Sequence, residues 1–281
     1  MPHYQVSGAG LGLKQEILPE LLEQQPAEIG FVEVAPENWI GVGGARRKAL
    51  DQALERYPLV CHGLSLDIGG PRPLDPDFLA RLRRFLDDTG ALIYTEHLSY
   101  CGDSGQLYDL MPIPFTEEAV HYVAGRIRQV QDALGRRIGM ENVSTYALPA
   151  GEMSEIEFLN AVVEEADCGY HLDINNIFVN AMNHGFDPQD YLARIPAERI
   201  LYAHIAGHYV QAPDLRIDTH GEPVISEVWA MLDQAYDRYG VFPPLLERDF
   251  NIPPLAELRQ EIAQILAAQE RHREQADEHV A

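Results

Sequence analysis

The chain has 281 residues, 46% of them hydrophobic, a size and composition that suit a single α/β barrel. Its 44 acidic against 21 basic side chains give a formal charge of −23, a field that repels phosphate backbones and argues against nucleic acid as a partner. No apolar run approaches the roughly 18–20 residues of a membrane helix. The opening MPHYQVSGAGLGLKQ also lacks the basic start and apolar stretch of a secretory signal, so a cytoplasmic protein with no membrane partner is expected.

In chain order, eight short apolar segments are predicted strands. They are VSGAGLGL (6–13), IGFVEVAP (29–36), LVCHGLSL (59–66), ALIYTEHLSY (91–100), RIGMENVS (137–144), CGYHLDINN (168–176), ILYAHIAG (200–207) and PLLERDF (244–250). Helical spacing of apolar residues lies between them, at 117–134, 154–166 and 226–240 among others, with Ser154 and Glu157 in capping-box register. The proline-rich DIGGPRPLDPD (67–77) reads as a loop from strand to helix. Glycines at 8, 10 and 12 miss the GxGxxG spacing, and no P-loop is present. Without repeat or linker, the expectation is one (β/α)8 barrel domain over 1–270 and a charged tail over 271–281, its His272 and His279 solvated. Cys61, Cys101 and Cys168 stand in no CxxC spacing, against a disulfide scaffold or a thiolate zinc knot. Cys61, back to back with His62 on a strand, reads as a buried thiol.

Six predicted strands carry a metal-competent side chain toward the C-terminal end: His62, His97, Glu141, Asp173, His204 and Glu247. In a barrel those ends meet at one rim, where active sites lie. A single strand-end histidine is ordinarily a hydrogen-bonded core residue, but six around one rim ask for a common cause. Asp173, within YHLDINN, puts the question sharply, because a carboxylate on a buried strand is costly unless something compensates it. RIDTHGE adds Asp218 and His220 on the long loop after the seventh strand. Imidazoles and carboxylates without thiolate suit zinc, iron or manganese rather than copper(I) or an iron–sulfur cluster. The set exceeds the three to five protein ligands one ion takes, so two or three ions are expected, and they would supply what Asp173 lacks. Glu141 and Glu247 as an acid/base or glycosidase pair, and a polar barrel floor without catalysis, remain competing readings. A Ser/His/Asp triad has no GxSxG elbow to stand on.

The order His, His, Glu, Asp, Asn, His, Asp-x-His, Glu resembles the trinuclear site of the endonuclease IV and xylose-isomerase-like TIM barrels. The fuller motifs GLGLKQE, EVAPENWIGVGG, CHGLSLDIGG, TEHLSY, MPIPFTEEA, MENVSTY, LDINNIFVNAMNHGFDP, HIAGH and IDTHGEPV, spread over roughly 8 to 258, resemble a narrower family. These are the multinuclear non-haem iron oxidative enzymes that modify precursor-peptide cysteines for methanobactin, 3-thiaglutamate and the copper-binding bufferins, the bufferin branch being the nearest.

Carried over by position, the resemblance implies that His62, His97 and Glu141 hold one metal. Glu141 bridges to a second completed by Asp173, His204 and Glu247, and Asn176, Asp218 and His220 hold a third. Glu141, Asp173, His204 and Glu247 are the expected catalytic set. The DNA-repair relatives have histidine where this chain has Asn176, so the third ion is expected to be held more weakly. Asn176 also has the wrong strand parity relative to Asp173, which requires that the strand has turned into a loop by then. His184 and His208 are read either as donors that orient ligands or as plain hydrogen-bonded histidines. The family further implies two or three irons, Fe(II)/Fe(III), with O2 as co-substrate, a Cys-containing precursor peptide as substrate, and a small partner protein that presents it. Zinc or manganese are the alternative metals. A zinc or manganese phosphodiesterase, a sugar isomerase and an iron-storage module are the alternative functions. The isomerase is expected to want a lysine near the metals, and none is read at the strand ends.

Overall fold

Eight parallel strands in sequence order close on themselves, β1 pairing with both β2 and β8. They are β1 (Ala9–Gly12), β2 (Ile29–Val34), β3 (Leu59–Gly63), β4 (Ile93–His97), β5 (Gly139–Glu141), β6 (Gly169–Asp173), β7 (Ile200–Ile205) and β8 (Pro244–Leu246). This computed structural model describes residues 4–103, 105–149 and 151–280. Around the barrel run α1 (Leu18–Gln24), α2 (Gly44–Leu54), α3 (Pro76–Thr89), α4 (Glu117–Leu134), α5 (Glu155–Ala166), α6 (Ile174–His184), α7 (Pro188–Leu192), α8 (Ser226–Tyr239) and α9 (Leu255–Val280). The (β/α)8 expectation is met: the fold is an α/β TIM barrel. Two antiparallel hairpins, Tyr100–Gly102 with Gln106–Met111 and Tyr209–Ala212 with Leu215–Ile217, rise from the loops after β4 and β7. Among the described residues no helix is long and apolar enough to cross a membrane.

Every predicted strand overlies a barrel strand, but the ladders stop sooner. β5 has three residues where eight were read, because Asn142 onward leaves the sheet. The 168–176 segment is corrected most sharply. β6 ends at Asp173 and residues 174–176 already belong to α6, since the Asp173 carboxylate accepts the Asn176 N–H at 2.6 Å and caps that helix. Asn176 therefore escapes strand parity through a helix rather than a loop. α4 occupies the predicted 117–134, burying Val120, Val123, Ile127, Val130 and Leu134 at helical spacing. At α5 the capping box forms, Ser154 N–H donating to Glu157 at 2.8 Å. His272 is not solvated. Its Nε2 lies 3.0 Å from Asp233 and its Nδ1 3.2 Å from Asp237, edge-on to Tyr236, because α8 and α9 pack together there. The His279 side chain lies outside the described residues.

The barrel interior is layered. Val6, Phe31, Val60, Ile93, Tyr202 and Leu245 fill its lower part as a buried cluster. Phe31 fits because β1 offers glycine opposite: a Cβ on Gly10 would stand 2.4 Å from the Phe31 ring. Above this floor the inward positions turn polar. The loop from β3 to α3 is pinned by buried Arg126, whose guanidinium donates to the carbonyls of Ile68 (2.8 Å), Arg72 (2.7 Å) and Asp67 (3.0 Å). Arg248, just past β8, bonds Glu261 of α9 at 2.6 Å, and Glu261 also accepts the Val224 N–H at 2.8 Å.

Glu155, in the first turn of α5, accepts from Tyr191 Oη of α7 at 2.9 Å and from Asn180 Nδ2 of α6 at 3.0 Å. Burial pushes its carboxyl up to about 7 against the pull of both donors. A carboxyl raised in the folded state keeps its proton longer there than in the unfolded chain. Its contribution to stability is therefore full below about pH 4.5 and lost as the pH rises to about 7. Glu155→Gln is expected to flatten that fall by up to about 3 kcal/mol relative to wild type in urea unfolding across the window. An identical pH slope in both proteins would contradict this.

Candidate metal centre

The inward side chains of β3, β4, β5, β6, β7 and β8 meet at the C-terminal mouth, where His62, His97, Glu141, Asp173, His204 and Glu247 come together. His62 Nε2 lies 3.2 Å and His97 Nε2 3.3 Å from the same oxygen of Glu141, and the two nitrogens are 3.1 Å apart. His204 Nδ1 stands 2.9 Å from Glu247, 3.3 Å from the other oxygen of Glu141 and 3.9 Å from Asp173. Asp218 and His220 reach the same mouth from the loop after β7. His220 Nδ1 lies 3.2 Å from Glu247, and its Nε2 lies 2.7 Å from Asp218. His220 holds a left-handed backbone (φ +48°), and Gly207 lets its loop press close, since a Cβ there would meet the Glu222 carbonyl oxygen at 2.0 Å.

The ring orientations are set from behind. His97 Nδ1 donates to the Gly63 carbonyl at 2.9 Å, which in a neutral ring leaves the Nε2 lone pair for the mouth. His62 Nδ1 bonds Thr95 Oγ1 (2.8 Å), Thr95 bonds Tyr202 Oη (2.9 Å), and Tyr202 donates to Glu33 (2.5 Å). Glu33 in turn holds His204 Nε2 at 3.0 Å. This buried chain crosses the barrel and aims Nδ1 of His204 at three carboxylates. Asn142 braces β6 with a two-way bond, accepting the Asp173 N–H and donating to the Asp173 carbonyl, each at 2.9 Å.

The donor set leaves several buried atoms without a hydrogen bond: Asp173 Oδ2, Asn176 Oδ1, His204 Nδ1, His220 Nε2 and Glu247 Oε2. Ligand atoms of Asp173, His220 and Glu247 lie within 4.8 Å of one another, His204 Nδ1 stands 2.9 Å from Glu247, and Asn176 lines the same cavity. Atoms that converge without bonding each other are arranged as ligands to a shared ion. Triads with ligand atoms within 4.8 Å include Glu141, Asp173 and His204, and also Asp173, His220 and Glu247. Electrostatics agree. Burial drives the Asp173 carboxyl well above its usual range, and Glu141 and Asp218 push the same way. Burial also opposes charge on Glu141, but the facing His62 and His97 hold that carboxyl well below. Against its own burial, His97 is raised to about 9 by Glu141 and Glu96. The residues present thus fit divalent or trivalent cations, which satisfy the unbonded atoms and the crowded negative charge together.

His184 fits the second of its two readings, a plain hydrogen-bonded histidine: it bonds Thr145 Oγ1 at 2.7 Å and lines another cavity. His208 acts one step away. Its Nδ1 bonds Asn175 Oδ1 at 2.8 Å, and Asn175 Nδ2 donates to Asp218 at 2.8 Å. Sequence reasoning missed Glu33, His171, Asp249 and Lys14. Glu33 and His171 are metal-competent strand side chains of the same kind, but no residue of β2 was singled out and on β6 Asp173, nearer the C-terminal end, was. Lys14, one residue past the predicted first strand, lines the mouth in an ion pair with Asp249, which also lies 3.1 Å from His220 Nδ1. A lysine is therefore present at the strand ends after all. Above the cluster opens a cavity of about 560 Å³ lined by Lys14, Trp39, Tyr146, Asn176 and Phe250 among others.

A closed eight-stranded barrel with imidazoles and carboxylates crowding its C-terminal mouth defines the class by fold, an α/β TIM barrel, and solved barrels of that fold are similar to it. A xylose isomerase domain protein from Alicyclobacillus acidocaldarius is similar over 94% of this chain and 100% of its own, with 18% identity and a TM-score of 0.61. Endonuclease IV from Thermus thermophilus is similar over 96% and 100%, with 16% identity and a TM-score of 0.57. Within that class the chain belongs to the RiPP precursor modification enzyme family MbnB/TglH/ChrH, whose pattern its residues 8–270 match. A UPF0276 protein of Nitrosospira multiformis is 55% identical over 269 residues, 95% of each chain.

Removing the Asn142 side chain leaves the buried N–H of Asp173 unpaired, whereas the Asp173 carbonyl, at the N-cap of α6, keeps the first bond of that helix. Asn142→Ala is expected to cost about 1–3 kcal/mol in denaturant unfolding with an unchanged m value. A loss below about 0.5 kcal/mol would mean the brace does not hold the strand end.

Proposed function

We propose that this protein is a multinuclear iron oxygenase that oxidatively modifies cysteines of a ribosomally made precursor peptide. The observation that carries the reading is the set of buried, converging and unbonded ligand atoms beneath an open cavity, in a chain of a peptide-modifying family. His62, His97 and Glu141 would hold one ion, and Glu141, Asp173, His204 and Glu247 a second. Asn176, Asp218 and His220 would hold a third, with Asp173 and Glu247 also within its reach. Bound iron would supply affinity for a substrate thiolate and one-electron chemistry with O2, oxidising the cysteine as O2 is reduced.

The protein's own residues set the stage for this. The Thr95–Tyr202–Glu33 chain fixes imidazole tautomers, and the apolar floor keeps water from below. Lys14 and Asp249 place paired charge at the mouth, where a peptide's polar groups would enter. Leu64, Tyr146 and Phe250 are exposed and line that mouth, and Met111, Tyr209 and Val210 are exposed on the hairpins after β4 and β7. Such an apolar rim suits a peptide or a small partner protein better than a sugar. The acidity of the chain disfavours a phosphodiesterase, which must bring a polyanion to the same rim.

Protein from iron-replete cells is expected to carry iron, and to consume O2 only when given a cysteine-bearing peptide. Glu141→Ala is expected to lose the metal and at least 100-fold in turnover. Because ligands must shed protons to bind, metal retention is expected to fall as the pH drops. Full activity of a zinc-only preparation without O2 would falsify the oxygenase, and rapid cleavage of abasic DNA would favour the hydrolase.

A further inference from the structure

His171 is fully buried, and neither of its ring nitrogens finds a hydrogen-bond partner. A neutral imidazole has one donor and one acceptor, and a site offering neither a partner would be better filled by an apolar side chain of the same bulk. Strand alternation puts His171 on the inward face with Asp173, and sheet register sets it beside Glu141 of β5. Its ring stacks on Tyr202 (centroids 4.2 Å, 23°) and stands edge-on to His204 (4.0 Å, 84°) and His62 (4.8 Å, 85°). The ring plane is thus fixed by packing on three sides.

One ligand atom each from His62, Glu141 and His171 lies within 4.8 Å of the others. Two ligands on opposite sides of one ion, each about 2.1 Å from it, stand about 4.2 Å apart, inside that span. His171 also groups with Glu33 and His204. Those two already satisfy each other at 3.0 Å, and Tyr202 donates to Glu33 as well, so the group at His62 and Glu141 is the one left open.

We propose that His171 is a further metal ligand, reaching from the barrel interior the ion that His62, His97 and Glu141 would hold; this rests on the metal-centre reading above. Three imidazoles and one carboxylate would then hold that ion, with the packed floor beneath them and the cavity above. The neighbouring ion has the reverse set, with Glu141, Asp173 and Glu247 around one imidazole.

Cobalt(II) titration of the metal-free full chain, read by visible absorption and by competition with a chelator, tests this. His171→Leu is expected to weaken by tenfold or more the same titration step that His62→Ala removes, and to change the cobalt spectrum. The thermal midpoint of the metal-free variant should match that of the metal-free wild type. Should the leucine variant not fold, wild-type chain with 15N-labelled histidines and zinc(II) decides instead. A His171 ring nitrogen that shifts on zinc binding supports the assignment, and an unshifted one overturns it. Cobalt uptake and spectrum unaltered by His171→Leu overturn this inference alone, whereas a wild-type chain that takes up neither metal overturns the metal-centre reading with it.

Discussion

Glu141, Asp173 and Glu247 stand at the mouth of a barrel that leaves each of them at most 8% exposed, and that burial sets the condition the rest of the structure answers: positive charge must sit among them. Imidazoles supply part of it, and their placement is controlled from outside the cluster. The rings of His97, His62 and His204 are each fixed by the other nitrogen, through Gly63, Thr95 and Glu33 in turn. The chain from His62 to His204 therefore behaves as one unit spanning strands that are distant in sequence. A change at Tyr202, which touches neither end directly by hydrogen bond, would be felt at both.

The loops are held with the same economy of polar groups. Arg126 gathers three carbonyls of the segment that follows His62, and the Arg248–Glu261 pair ties the end of β8 to α9 and to the loop bearing Asp218 and His220. Both arginines are buried, so each contact acts in a low-dielectric setting where a lost partner is costly. Rigid loops matter here because a cluster of like charges disperses if its supports give way.

The barrel was legible because apolar segments and helical spacing alternate without interruption, and the rim residues because a polar side chain at a strand end is conspicuous. Element ends were not legible. Asp173 looks like a strand residue from its neighbours, yet its carboxylate caps α6, an event set by a hydrogen bond rather than by hydropathy. Glu33, between valines, reads as part of an apolar strand, and His171 was overshadowed by Asp173, two residues nearer the C-terminal end of the same strand. Lys14 and Asp249 could not be paired from the sequence, being 235 residues apart. For His184 the sequence left two readings open, because nearness in the chain does not say that α6 turns its side chain toward Thr145.

The packed floor of Val6, Phe31, Val60, Ile93, Tyr202 and Leu245 has a kinetic side. Among the described residues it closes the cylinder from below, so whatever reaches the polar layer through the cavity passes one lip. Whatever lies deepest has to arrive first, and a long guest seated across the opening would cork it. Loading order, and the trapping of what is already inside, thus follow from the plug.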